Sequence, residues 1–77
     1  MGLKSASEVE GVLADLCIQH GYCLPAEKIQ ALVANPPIDA ESFVDAVLIA
    51  EGLTPESIRR GDRMPMVNLV EARLFSH

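Results

Sequence analysis

Residues 39–52 read Asp-Ala-Glu-Ser-Phe-Val-Asp-Ala-Val-Leu-Ile-Ala-Glu-Gly, and this stretch decides the fold. Four of its large apolar residues recur in adjacent pairs four positions apart, which is the spacing of one face of an α-helix. They are Phe43, Val44, Val47 and Leu48. Asp39 is a good N-cap, because its carboxylate can accept a hydrogen bond from an amide of the first turn. Gly52 suits the left-handed conformation in which many helices end, so the stretch predicts one amphipathic helix with both ends marked.

Two further helices are predicted upstream. The first spans about residues 7–20, with Ser7 as its N-cap and Gly21 as its stop. The second begins near Leu24, with a proline in its first turn, where the missing N–H has no helical partner. It ends at residues 35–37, Asn-Pro-Pro, because two successive prolines remove two hydrogen-bond donors and push the preceding residue out of the helical region.

Downstream of Gly52 the pattern is more broken. Thr54-Pro55-Glu56 has the order of a cap, a first-turn proline and a first-turn acid, and it predicts a short helix that Gly61 and Asp62 end. Pro65 then opens a last segment, whose apolar residues have the spacing of an amphipathic helix. Those residues are Met66, Val67, Leu69, Val70, Leu74 and Phe75.

Together these signals predict an all-α fold, a small compact bundle of four or five short helices. No strict period-two alternation and no Asn-Gly or Asp-Gly turn favours strands. We expect a single domain over residues 1–77, with residues 1–6 and 76–77 frayed. The buried faces of the three longest helices are expected to supply the core. They contribute Val12, Leu13, Leu16, Ile29, Leu32, Val33, Phe43, Val44, Val47 and Leu48.

Residues 16–29 and 47–58 resemble each other. Each stretch has an apolar helix end, a glycine, a leucine, a first turn that contains proline, a glutamate and an isoleucine. A duplicated helix-turn-helix unit would produce this similarity. Local capping requirements also explain every matched position, and we favour that explanation.

Composition excludes several classes of protein. The chain has 77 residues, of which 49% are hydrophobic, too many for a disordered tail. No apolar run approaches the ~18 residues that a membrane span needs, and the first residues lack the apolar core of a secretory signal. We therefore expect a cytoplasmic protein without a membrane partner. The formal charge of −5 makes a nucleic-acid partner unlikely on electrostatic grounds.

Cys17, His20 and Cys23 are the one cluster with metal-ligand chemistry. Thiolates and imidazole suit zinc, but a structural site needs a fourth ligand, and Cys17 belongs to the apolar face of the first helix. We therefore expect no metal and no cofactor. The separation of six residues would permit a disulfide, although nothing in the sequence indicates an oxidising compartment. We also expect no enzymatic activity, because so short a chain could hardly enclose a pocket of several hundred Å³ and keep a core.

The last twenty residues are the predicted partner-binding region. Arg59, Arg60 and Arg63 form a basic corner in an otherwise acidic chain, and the apolar residues that follow exceed what one helix face can bury. We expect this region to bind a protein partner or a second copy of the chain, as a regulator, inhibitor or adaptor would. The expected contact residues are Arg59, Arg60, Arg63, Met66, Val67, Val70 and Phe75. Helix-terminal cations paired within the chain are an equally good explanation of the arginines.

A DNA-binding helix-turn-helix regulator is the alternative function. The corner between Phe43 and Gly61 has a glycine in its turn and apolar residues on both sides, which fits that motif loosely. The expected recognition helix is short, and the chain is acidic, whereas phosphate contacts supply much of the affinity for DNA.

Overall fold

The computed structural model describes residues 6–75, and over this range the protein is a small all-α bundle. Four α-helices, a short 3-10 turn and a C-terminal π-helical segment follow one another along the chain. In order they are α1 (Ala6–His20), α2 (Ala26–Ala34), α3 (Ala40–Ala50), the 3-10 turn (Pro55–Ser57), α4 (Arg60–Val70) and the π-helical segment (Glu71–Phe75). Of the ends predicted to fray, residues 1–5 and 76–77 lie outside the described residues, and Ala6 is the first residue of α1.

Helix α3 is capped as its sequence predicts. The backbone N–H of Ser42 donates to Oδ1 of Asp39 at 2.7 Å, and this bond together with the Ser42 side chain lowers the pKa of Asp39 below its ordinary value of 3.8. At the other end Gly52 has φ +82°, its N–H donates to Ile49 O, and the Leu53 N–H donates to Leu48 O, both at 2.9 Å. This pair of bonds is a Schellman motif, so local chemistry alone fixes both ends of α3.

Helix α1 ends at the predicted glycine but begins differently. Gly21 has φ +79°, and its N–H donates to Cys17 O at 3.0 Å. Ser7, the predicted N-cap, is instead the second residue of the helix. Helix starts are often assigned one or two residues apart, so the difference is small.

The largest error of the sequence-based prediction concerns α4. Gly61 does not end a helix and Pro65 does not start one, since both lie inside α4. Pro65 removes one backbone hydrogen bond in the second turn and remains exposed on the outer face. Met66, Val67 and Val70 on the inner face are buried, and the apolar area that they remove from water offsets the lost bond.

The core lies between α1, α3, α4 and the π-helical segment, and the apolar residues of α2 pack against its edge. Seven of the predicted core residues are buried, whereas Ile29, Leu32 and Val33 are only half-buried. No side chain of α2 is fully buried, because this helix packs mainly on α1. The confirmed residues are Val12, Leu13, Leu16, Phe43, Val44, Val47 and Leu48.

The two similar corners lead to different structures. Both glycines adopt positive φ, but the first corner continues into the nine-residue α2 and the second into the three-residue 3-10 turn. A duplicated unit would place equivalent helices after both corners. The residues that the two corners share therefore reflect how helices end.

Candidate interaction surfaces

The basic corner divides into one structural arginine and two exposed ones. Nη2 of Arg63 lies 2.7 Å from Oδ1 of Asp45 and 3.4 Å from the Glu41 carbonyl oxygen, so this side chain fastens the start of α4 to α3. Arg59 and Arg60 are exposed at the start of α4. Intramolecular pairing thus accounts for Arg63, while Arg59 and Arg60 remain available to solvent on that corner.

The apolar part of the predicted partner surface is mostly core. Met66 and Val70 are fully buried and Val67 is 7% exposed, so these three side chains cannot meet a partner without the fold opening. The prediction counted more apolar residues than one helix face could bury. The structure buries them because α4 and the π-helical segment contact both α1 and α3. Phe75 is half-buried and packs at the edge of the core.

A second ion pair closes the C-terminal segment onto the bundle. The guanidinium of Arg73 pairs with the carboxylate of Asp15 on α1. Both side chains are partly exposed, so the pair orients the segment more than it stabilises the fold.

A disulfide joins Cys17 to Cys23. It bridges the last turn of α1 and the connection that precedes α2, with the two Cα atoms 4.3 Å apart. The bond occupies the sulfur atoms of the sequence cluster that also contains His20. Among residues 6–75, no group of three or more metal-ligating side chains is placed to hold an ion.

An apolar groove runs along this disulfide, between α1 and α2. It has a volume of about 380 Å³ and is open to solvent. Leu13, Ala14 and Ile29 contribute to its walls, both cysteines line it, and Glu10 and Gln30 add polar atoms. The groove was not predicted, because it depends on how α2 packs on α1. The sequence of α2 carries no signal for it, since Ile29, Leu32 and Val33 have the helical spacing of a buried face.

A second, more polar cleft of about 530 Å³ lies between the end of α1 and the start of α4. His20, Tyr22 and Arg59 are among its lining residues, and Asp62 adds a negative charge. Both clefts are open to solvent, and neither is an enclosed pocket.

The other exposed apolar side chains are scattered over different elements. Ile18 lies on α1, Ile49 on α3, and Ile38 precedes α3, where it is 87% exposed. Single exposed apolar residues are common on soluble domains and do not define a binding surface.

The corner predicted for DNA binding lies between α3 and α4. The element that follows Gly52 is a 3-10 turn of three residues, too short to lie along a major groove. Within residues 6–75, no helix is both long and apolar enough to cross a membrane.

No protein family, curated protein or solved structure matches this chain.

Proposed function

We propose that this protein is a small interaction module that binds a protein partner in the groove between α1 and α2. The observation that carries the proposal is the apolar character of this open groove, which Leu13, Leu24 and Ile29 line. Grooves between two helices commonly accept the apolar face of an amphipathic helix. A binding role of this kind requires no catalytic residue, in line with the proposal that the protein is not an enzyme.

The position of α2 supports the proposal. Its apolar residues are half-buried, so they retain surface that a partner could cover. Burying that surface would add stabilisation of about 25 cal/mol for each Å² removed from water. Binding of a partner in the groove would not require the packing of α3 and α4 in the core to change.

Charge indicates the chemistry of the partner. Residues 6–34 carry four carboxylates, Glu8, Glu10, Asp15 and Glu27, against one lysine. Asp15 is paired with Arg73, and Glu10 lines the groove. The occupant that fits is an amphipathic helical segment with an apolar face and lysine or arginine on its flanks, because opposite charges at the rim favour encounter and orientation.

Exposed alanines offer a test that leaves the core intact. Ala14 and Ala26 line the groove, and Ala31 lies on the same helix as Ala26 without lining it. Ala14→Lys and Ala26→Lys place a long cationic side chain in the groove, and Ala31→Lys is the matched control. Lysine and alanine are both good helix formers, so circular dichroism should show the same helix content in all three variants.

The experiment captures partners from the native lysate on each variant, identifies them by mass spectrometry, and measures the affinity of the purified partner. A partner with a basic amphipathic segment should bind the two groove variants about tenfold more weakly, a loss of ~1.4 kcal/mol, and Ala31→Lys as tightly as the parent. If no captured protein distinguishes the groove variants from the control, the proposal is wrong.

Two other outcomes would replace the proposed partner. Sedimentation that shows a dimer dissociated by Ala14→Lys would make the occupant a second copy of the chain. DNA binding that falls with rising salt and is lost in an Arg59→Glu, Arg60→Glu double variant would support the alternative DNA-binding function.

The cytoplasmic location stays a prediction. Disulfides persist in oxidising compartments and are usually transient in the cytosol. The redox state of Cys17 and Cys23 in cells therefore bears directly on location.

A further inference from the structure

The Cys17–Cys23 disulfide holds the least buried helix of the fold. It connects the last turn of α1 to a residue three positions before the first residue of α2. Cys23 is exposed and Cys17 is half-buried, so a reductant can reach the bond from solvent. Both cysteines also line the apolar groove.

Helix α2 has few other means of support. It is nine residues long, its N-cap is Pro25 without a side-chain capping bond, and none of its side chains is fully buried. Isolated helices of this length are marginal in water. The disulfide restricts the chain at the corner and thereby keeps α2 close to α1.

The core of the bundle is built without either cysteine. The buried residues come from α1, α3, α4 and the π-helical segment, and neither cysteine is among them. Breaking the bond should therefore affect α2 locally and leave the core folded.

We infer that Cys17 and Cys23 form a redox-responsive tether: the disulfide holds α2 against α1 and shapes the groove, and reduction releases α2. The release of α2 stands independently of any partner. Control of partner binding by the tether rests on the proposed function.

The chemistry requires a dithiol reductant. One of its thiolates attacks Sγ of Cys23, the exposed sulfur, the Sγ–Sγ bond breaks, and Cys17 leaves as a thiolate and takes up a proton. The second thiolate of the reductant then attacks the reductant's other sulfur atom, which is bonded to Cys23 in the mixed disulfide. Cys23 is released as a thiolate and also takes up a proton. Two electrons pass to the protein, and the dithiol reductant is oxidised to a disulfide. The two protons that the reductant loses balance the two that the cysteines take up.

Hydrogen exchange of the full chain tests the tether with dithiothreitol as the reductant. In the oxidised protein, amides of residues 29–34 should be protected, and reduction should accelerate their exchange by about tenfold or more. Amides of residues 40–50 should change by less than about twofold, because α3 belongs to the core. The Cys17→Ser, Cys23→Ser double variant should exchange like the reduced protein with or without dithiothreitol.

Three results would overturn the inference. One is equal protection of α2 in the oxidised and reduced protein. Another is loss of protection in α2 and α3 together, which would make the bond a requirement of the whole fold. The third is two free thiols, detected by maleimide labelling, after equilibration with oxidised glutathione.

A separate measurement distinguishes the tether from the proposed function. Partner affinity is compared between the oxidised and reduced protein alongside hydrogen exchange. If α2 responds to reduction and no partner depends on the groove, the tether stands and the proposed function fails. If groove-dependent binding is found but α2 does not respond, the proposed function stands and the tether fails.

Discussion

At the scale of single residues, the glycines show how backbone conformation limits substitution. Gly52 ends α3 with φ +82°, where a side chain would be strained although no atom lies within 4 Å of its Cβ position. Gly61 also has open space around it, but it lies in the first turn of α4 with ordinary helical geometry. The two positions differ in backbone conformation and not in crowding.

Gly52→Ala should destabilise the protein by about 1 kcal/mol, because an L-residue is disfavoured in the left-handed region. Gly61→Ala is the matched control and should stabilise it by about 0.5–1 kcal/mol through helix propensity. Urea unfolding followed by circular dichroism measures both changes. Equal effects of the two substitutions would contradict the role assigned to φ at Gly52.

At the scale of elements, α1 and α2 have similar sequence signals and unequal positions in the bundle. Both helices carry apolar residues at helical spacing, yet α1 contacts α2, α4 and the π-helical segment, whereas α2 packs mainly on α1. Leu16 is fully buried and Leu32 half-buried as a result. Removing the same atoms should therefore have different effects in the two helices.

Leu16→Ala should lower the free energy of unfolding by about 2–5 kcal/mol, since it loses buried apolar area and leaves a cavity in the core. Leu32→Ala removes the same atoms from a site that solvent already reaches, and its effect should be clearly smaller. Thermal or urea melts of the two oxidised variants provide the comparison. A loss for Leu32→Ala as large as that for Leu16→Ala would mean that α2 belongs to the core.

At the scale of the whole molecule, α4 closes the bundle. It contacts α3 and α1, and the ion pair between Arg63 and Asp45 fixes its start. The same helix was expected to present Met66, Val67 and Val70 to a partner. Their burial assigns this face to folding and leaves the groove between α1 and α2 as an apolar surface open to solvent.

Val67→Glu should therefore unfold the domain. A carboxylate at a side chain that is 7% exposed has no partner to compensate its lost hydration, and the penalty of several kcal/mol approaches the whole stability of a small domain. Ile38→Glu, at a position 87% exposed, is the control and should melt as the parent does. A cooperative, unchanged melt of Val67→Glu would contradict the placement of α4.

The sequence by itself determined the all-α class, the bounds of α3 and the stop of α1. Those features depend on interactions between near neighbours: the Asp39 cap, the positive φ of Gly21 and Gly52, and the two prolines after Asn35. Near neighbours in the chain stay near neighbours in every conformation. Their chemistry can therefore be interpreted without knowing the rest of the fold.

Only the tertiary structure decided the inclusion of Gly61 and Pro65 in α4, the half-burial of α2, and the groove beside the disulfide. Each depends on what packs against a segment from elsewhere in the chain. Buried area on α4 outweighs the hydrogen bond that Pro65 removes, and within residues 6–75 α2 packs mainly on α1. The spacing of apolar residues shows which face of a helix will pack against other elements. How deeply that face is buried depends on the elements from elsewhere in the chain that come to lie against it.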